Sequence, residues 1–220
     1  ARCTHGALIR NDFEWMEYWR WENEEERTAA VYYDAKDIPQ GFLLYWVEED
    51  VFHIREMVYL TQEARKGLWN FIRAHYSMID AVKGHIYTGE PLAFLLDESQ
   101  IQETIEPYFM ARIVDVAQFL RLYPFEGSIR PFHFVVTDPM AEWNNGIFSV
   151  ATDREGTVSV TDEPAGKAVE LDIQTLSAML MGYKRPSYLA RIERLHTDKR
   201  TLRLLEEIIP DGQPYFSDYF

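Results

Sequence analysis

The sequence predicts an α+β chain built in two parts. Three observations carry this. Three strand-like runs follow one another early in the chain and lead into a helix and a further strand. A polar stretch at residues 97–106 interrupts the pattern near mid-chain. Beyond it, four more strand-like runs precede a series of amphipathic helices. The boundary is placed near residue 104, giving parts 1–104 and 105–220. A length of 220 residues accommodates two domains of ordinary size.

The elements of the first part follow from local chemistry. Asn11 or Asp12 can cap a helix in which Trp15, Tyr18 and Trp19 share one face. That face packs on a sheet, or one of its indoles lines a pocket. The acidic run 22–26 is expected at a solvated helix end. Residues 28–34, 41–49 and 51–60 are rich in β-branched and aromatic side chains and read as a meander. Glu48, Glu49 and Asp50 form its second turn. In the third strand His53, Arg55 and Met57 alternate imperfectly with Ile54 and Glu56, so its two faces are not separable by parity. Thr61 caps the next helix, with Glu63 in its first turn. Leu68, Phe71, Ile72 and His75 form its apolar stripe, and His75 reads as a half-buried core histidine. Residues 81–88 read as a strand and 90–96 as a short helix.

In the second part, residues 106–114 read as a strand and Asp115 as the cap of a helix that ends before Pro124. Residues 128–137, 143–152, 157–161 and 167–172 read as strands joined by sharp turns such as Asn144-Asn145-Gly146. Asp172 caps a helix ended by Gly182 in the C′ position. Residues 186–195 and 198–209 are two more amphipathic helices. The chain closes on four aromatics in its last six residues. Burying each would stabilise by roughly 1.5–3 kcal/mol, so the tail is expected to dock. That would carry the α-carboxylate of Phe220 to a fixed place.

Composition limits the function. Thirty-six acidic against 22 basic residues give a formal charge of −14, which argues against nucleic acid or an anionic membrane as partner. The charge suits a cationic substrate and equally an acidic protein with no such role. No apolar run approaches the roughly 20 residues of a membrane span. The single cysteine, Cys3, excludes an internal disulfide framework and suits the cytoplasm. No signal-peptide pattern opens the chain, and its start at Ala1 reads as that of a fragment. The six histidines are scattered, so no metal site is expected. Phosphate-binding glycine loops and nucleophile elbows are also absent from the sequence.

A more specific signal stands at residues 110–120, where Met110-Ala111-Arg112-Ile113-Val114-Asp115 runs into the capped helix. This junction resembles that of the enhanced-intracellular-survival (Eis) family of bacterial N-acetyltransferases. Gly6 and Arg10 followed by Trp15 resemble the opening of that family's middle domain. Residues 37–45 resemble its strand entry, and residues 214–220 its aromatic C-terminus. The resemblance spans the chain. It implies a GNAT-like mixed-sheet domain at 1–104, not binding cofactor, and a sterol-carrier-protein-like α/β sandwich at 105–220. The family's catalytic N-terminal domain would be missing from this chain.

The resemblance further implies acetyl-CoA as cofactor of the full-length protein, with none bound by this part. GNAT enzymes hold the pyrophosphate on backbone N–H groups of a [RQ]-x-x-G-x-[GA] loop at a helix N-terminus. The near match here, Arg65-Lys66-Gly67 followed by Leu68 and Trp69, has the wrong spacing and bulky side chains. It implies an amine as acceptor substrate and a homo-oligomer. Phe220 would be the base through its terminal carboxylate, opposite a tyrosine acid of the N-terminal domain. Tyr219, Asp218, Trp15, Met110 and Asp115 would line the substrate pocket, with Asp115 equally readable as a cap only. Met110 stands where the family can place a tryptophan. An acidic, aromatic pocket would suit polycationic amines. The isolated part would be inactive. A rival reading is a non-enzymatic module that binds a lipid or small molecule in a sterol-carrier-like cavity. In a third reading the two domains serve only to assemble subunits and shape the pocket.

Overall fold

A computed structural model of the chain describes residues 9–85, 92–96, 100–106, 109–127, 129–152 and 157–214. These fall in two compact units, Ile9–Gln100 and the residues from Ile101 onward.

In the first unit Asn11 caps α1 (Asp12–Glu24) through a reciprocal box. Asn11 Oδ1 accepts the Glu14 amide at 3.0 Å, and Glu14 accepts the Asn11 amide at 2.7 Å. Strands β1 (Thr28–Tyr33), β2 (Pro39–Glu48) and β3 (Val51–Tyr59) form an antiparallel meander. Glu49 and Asp50 turn the β2–β3 hairpin with φ of 48° and 59°. Thr61 caps α2 (Gln62–Arg73), which carries the chain across to β4 (Ala81–Gly84), parallel to β3. The sheet order is β1-β2-β3-β4. A one-turn helix α3 (Leu92–Leu95) closes the unit.

The imperfect alternation in β3 has a structural cause. The register with β2 shifts between Leu44, opposite Glu56, and Tyr45, opposite Ile54, so Arg55 is an extra residue. Phe52 and Ile54 face the core made with Leu43, Leu68 and Ile72. Past the bulge it is Met57 and Tyr59 that pack there. His75 lies against Tyr45, Phe52 and Phe71, its Nδ1 2.9 Å from the Phe71 carbonyl oxygen.

The second unit holds α4 (Val116–Leu122), β5 (Phe132–Thr137), β6 (Gly146–Thr152), β7 (Val158–Thr161) and β8 (Lys167–Asp172). Helix α5 (Ile173–Leu180), α6 (Pro186–Arg191), the two-residue β9 (Leu195–His196) and α7 (Lys199–Ile208) follow. The sheet runs β7-β6-β5-β8-β9, with β5 and β8 parallel at its centre. Phe132, Phe134 and Val136 alternate into the core with Val169, Leu176 and Leu205.

Several expectations need correcting. Glu22, in the run expected to be solvated, is buried, and the strand expected from 128 begins at Phe132. Among the described residues of 106–114 there is no strand. Side chains take up the backbone there instead: the Ile113 amide donates to Ser177 Oγ at 3.1 Å. The helix expected over 186–195 ends at Arg191. Glu193, at φ 60°, turns the chain, and Leu195 pairs with Leu171 as an edge strand. The strand expected from 143 begins at Gly146, because Glu142–Asn144 form a 3₁₀ turn.

Candidate functional site

Of the residues singled out in the sequence, Asp218, Tyr219 and Phe220 lie outside the described residues. Trp15 lies in the first unit; Met110 and Asp115 lie in the second.

Helix α1 is unusual in that its buried residue is Glu22, while Phe13, Met16 and Trp21 are exposed. Its inner face carries an aromatic cluster. Trp15 stacks on Trp19 with ring centroids 6.5 Å apart, and Trp19 meets Phe42 of β2 edge-on at 6.2 Å. The Arg10 guanidinium lies over Trp15 at 4.7 Å and over Tyr18 at 4.6 Å. The Tyr18 hydroxyl donates to Glu56 at 2.7 Å, and Glu22 pairs with Arg55 at 3.3 Å. Both partners stand at the β3 bulge, which turns Arg55 and Glu56 to the α1 side. Burial, the hydrogen bond to Glu56 and the charges of Glu56 and Glu22 raise the Tyr18 phenol far above its ordinary range, against Arg10. Tyr18 therefore keeps its proton and serves as a hydrogen-bond donor to Glu56. A cleft of about 490 Å³ opens between Met16, Trp19 and Glu22 of α1 and Arg27, Ala29 and Leu44 of the sheet. Arg27 lies 3.5 Å over the Trp46 ring.

A parallel strand reached through a helix suggests where a GNAT cofactor phosphate would sit, at the N-terminus of α2. The residues there do not fit one. Thr61 Oγ1 already accepts the Ala64 amide at 3.1 Å. Glu63, whose carboxylate accepts from the Tyr32 hydroxyl at 3.1 Å, puts negative charge in the first turn. Gly67 stands inside α2 rather than in a loop. A Cβ on it would lie 2.3 Å from the Tyr32 ring, so this glycine permits close helix–strand packing. Among the described residues, no group of three His, Cys, Asp or Glu side chains could hold a metal ion.

In the second unit Met110 is fully exposed. Asp115 Oδ1 accepts the Gln118 amide at 2.8 Å, so its side chain is the cap of α4. The organising residue beside them is Asp138, whose side chain is wholly buried. Arg112 Nη2 donates to both its oxygens, at 2.6 and 2.5 Å. Asn144 Nδ2 donates to Asp138 Oδ2 at 2.9 Å and to the Val114 carbonyl at 3.0 Å, while its Oδ1 accepts the Val116 amide at 3.0 Å. The exposed Trp143 adds a 2.8 Å bond from Nε1 to the Val114 carbonyl. Burial raises the Asp138 carboxyl, but the bonds from Asn144, Met140, Arg112 and Ala141 outweigh it and hold it at about 2. This network holds the entry segment that the sequence suggested as a strand.

A second hub is Arg185. Its Nε donates to Glu206 Oε2 at 2.9 Å, its Nη2 to the Glu206 carbonyl at 2.7 Å, and its Nη1 to the carbonyls of Ile209 at 2.9 Å and Pro210 at 3.1 Å. Sequence reasoning missed Glu22, Glu56, Asp138 and Arg185. Glu22 was read as part of a solvated run and Glu56 as one of two inseparable strand faces, and the turn chemistry of Asn144-Asn145-Gly146 concealed that Asn144 bonds across the domain.

Residues 6–113 match the family described as an acetyltransferase (GNAT) domain, and residues 116–217 match a sterol carrier protein domain. The structure is similar to a probable N-acyltransferase from Enterococcus faecalis, with a TM-score of 0.89 and 30% identity over 98% of this chain and 55% of that one. It is also similar to a GCN5-related N-acetyltransferase from Anabaena variabilis, with a TM-score of 0.81 and 27% identity over 100% of this chain and 57% of that one. Eis1 from Mycobacterium abscessus shares the fold, at a TM-score of 0.71 and 18% identity over 98% of this chain and 56% of that one. The chain thus spans about half the length of these relatives. No curated protein matches it. The chain carries a GNAT acetyltransferase domain followed by a sterol-carrier-protein-like domain.

Proposed function

We propose that this chain is the C-terminal portion of an acetyl-CoA-dependent N-acetyltransferase acting on amine substrates. Its part is to shape the acceptor pocket and to supply the terminal carboxylate of Phe220, which takes a proton from the amine. The division lies near residue 104, and the chain works as a homo-oligomer. The observation that carries the reading is the filled N-terminus of α2. Thr61 and Glu63 occupy the place where a GNAT sheet would present bare amides to a pyrophosphate. On this reading the cofactor belongs to a separate domain, and the chain is inactive by itself. Within the first unit, Trp15 offers aromatic surface to a cationic amine.

Two measurements test this. Calorimetric titration of acetyl-CoA into the chain should give no stoichiometric micromolar binding, and such binding would reject the assignment of the first domain. Removing Phe220 from the full-length protein, or amidating its C-terminus, should lower turnover by roughly 10²–10⁴-fold, the contribution of a positioned base. Unchanged turnover would reject the carboxylate.

A further inference from the structure

Helix α7 has no basic residue in its last turn, so nothing of its own offsets the carbonyl end of its dipole. The offsetting charge comes from elsewhere in the fold. Arg185, just before α6, gives its planar fork to the Glu206 carboxylate and to the carbonyls of Glu206, Ile209 and Pro210 at the exit of α7. Glu206 is held in turn, because its Oε1 accepts the Ser187 amide at 2.6 Å. On the other side the Glu126 amide donates to the Ile208 carbonyl at 2.8 Å. The point where the chain leaves α7 is thus bound from two directions.

We infer that Arg185, together with Glu206, is a positioning residue: a clasp that fixes where the C-terminal segment leaves the sterol-carrier-like domain, and so where the terminal carboxylate can reach. The catalytic half of this inference rests on the reading of Phe220 as base. Ten residues follow Pro210. At about 3.3–3.6 Å per residue their contour is at most about 35 Å, so the position of their origin limits where the terminal carboxylate can lie. Lysine cannot replace the clasp, since its single ammonium cannot face a carboxylate and three carbonyls from one plane.

The test is carboxypeptidase release of the C-terminal residues from the folded chain, compared among wild type, Arg185→Met, Arg185→Lys and Glu206→Gln. Loss of hydrogen bonds to a charged group should speed release from Arg185→Met about tenfold, with Arg185→Lys and Glu206→Gln between it and wild type. Hydrogen exchange at β5 amides should stay unchanged, which separates a local opening from unfolding of the domain. If Arg185→Met does not fold, the two milder variants carry the test. Release at the wild-type rate in every folded variant overturns the clasp. In the full-length enzyme Arg185→Lys should lower kcat and leave KM for acetyl-CoA unchanged, whereas a merely structural role would not separate the two. If removal of Phe220 leaves turnover unchanged while release from Arg185→Met is accelerated, the base is wrong and the clasp stands.

Discussion

Gly67→Ala decides what the glycine of α2 is for. In a helix interior alanine is favoured over glycine by about 1 kcal/mol, so an unhindered site would gain stability. Here the added Cβ would lie 2.3 and 2.4 Å from two carbons of the Tyr32 ring, more than 1 Å inside ordinary van der Waals contact. The ring is bonded through its hydroxyl to Glu63 and cannot simply swing away. Overpacking of this kind costs about 1–3 kcal/mol. The clash therefore outweighs the propensity gain, and we expect a net loss of about 1–2 kcal/mol from the first domain. Urea unfolding followed by tryptophan fluorescence reads it directly, because five of the six tryptophans belong to that domain. The cycle with Tyr32→Ala gives the sharper result. Once the ring is gone, Gly67→Ala should become stabilising by up to about 1 kcal/mol. The same sign in both backgrounds would refute the packing argument and reopen Gly67 as a ligand-loop residue.

Two further outcomes are expected. The Asp138 carboxyl is held at about 2, below its ordinary 3.8, so the second domain should keep this contribution above about pH 5 and lose it as pH falls toward 2. Urea midpoints between pH 6 and pH 2 should show that decline, and Asp138→Asn should flatten it; an equally steep decline in the variant would assign it to other groups. Tyr123 is buried, and among the described residues its hydroxyl has no hydrogen-bond partner. Tyr123→Phe should therefore leave stability unchanged or raise it by about 1 kcal/mol in thermal unfolding, and a loss of that size would show that the hydroxyl is bonded.

Much of the architecture was legible because it is local. Asn11, Thr61, Asp115 and Asp172 cap helices by reaching an amide three residues on, a geometry written in the residue type and its spacing. Gly182 ends α5 at φ 80°, as a C′ glycine should. The meander and the crossover helix follow from hydrophobic period, whereas the kinds of the two domains came from the family resemblance. Other features were settled only by distant partners. The parity of β3 depends on an extra residue at Arg55, and a bulge is a property of a strand pair. Residues 109–114 have the composition of a strand, yet they are held by Ser177, Asp138 and Asn144, between 26 and 64 residues away. The spacing around Gly67 already spoke against a phosphate loop, but what the glycine permits depends on Tyr32, on β1, packed against it. Arg185 looked like an ordinary basic residue before a proline. It became a clasp only when α6 and α7 packed together and brought it to the carbonyls of Glu206 in the last turn of α7 and of Ile209 and Pro210 just after it.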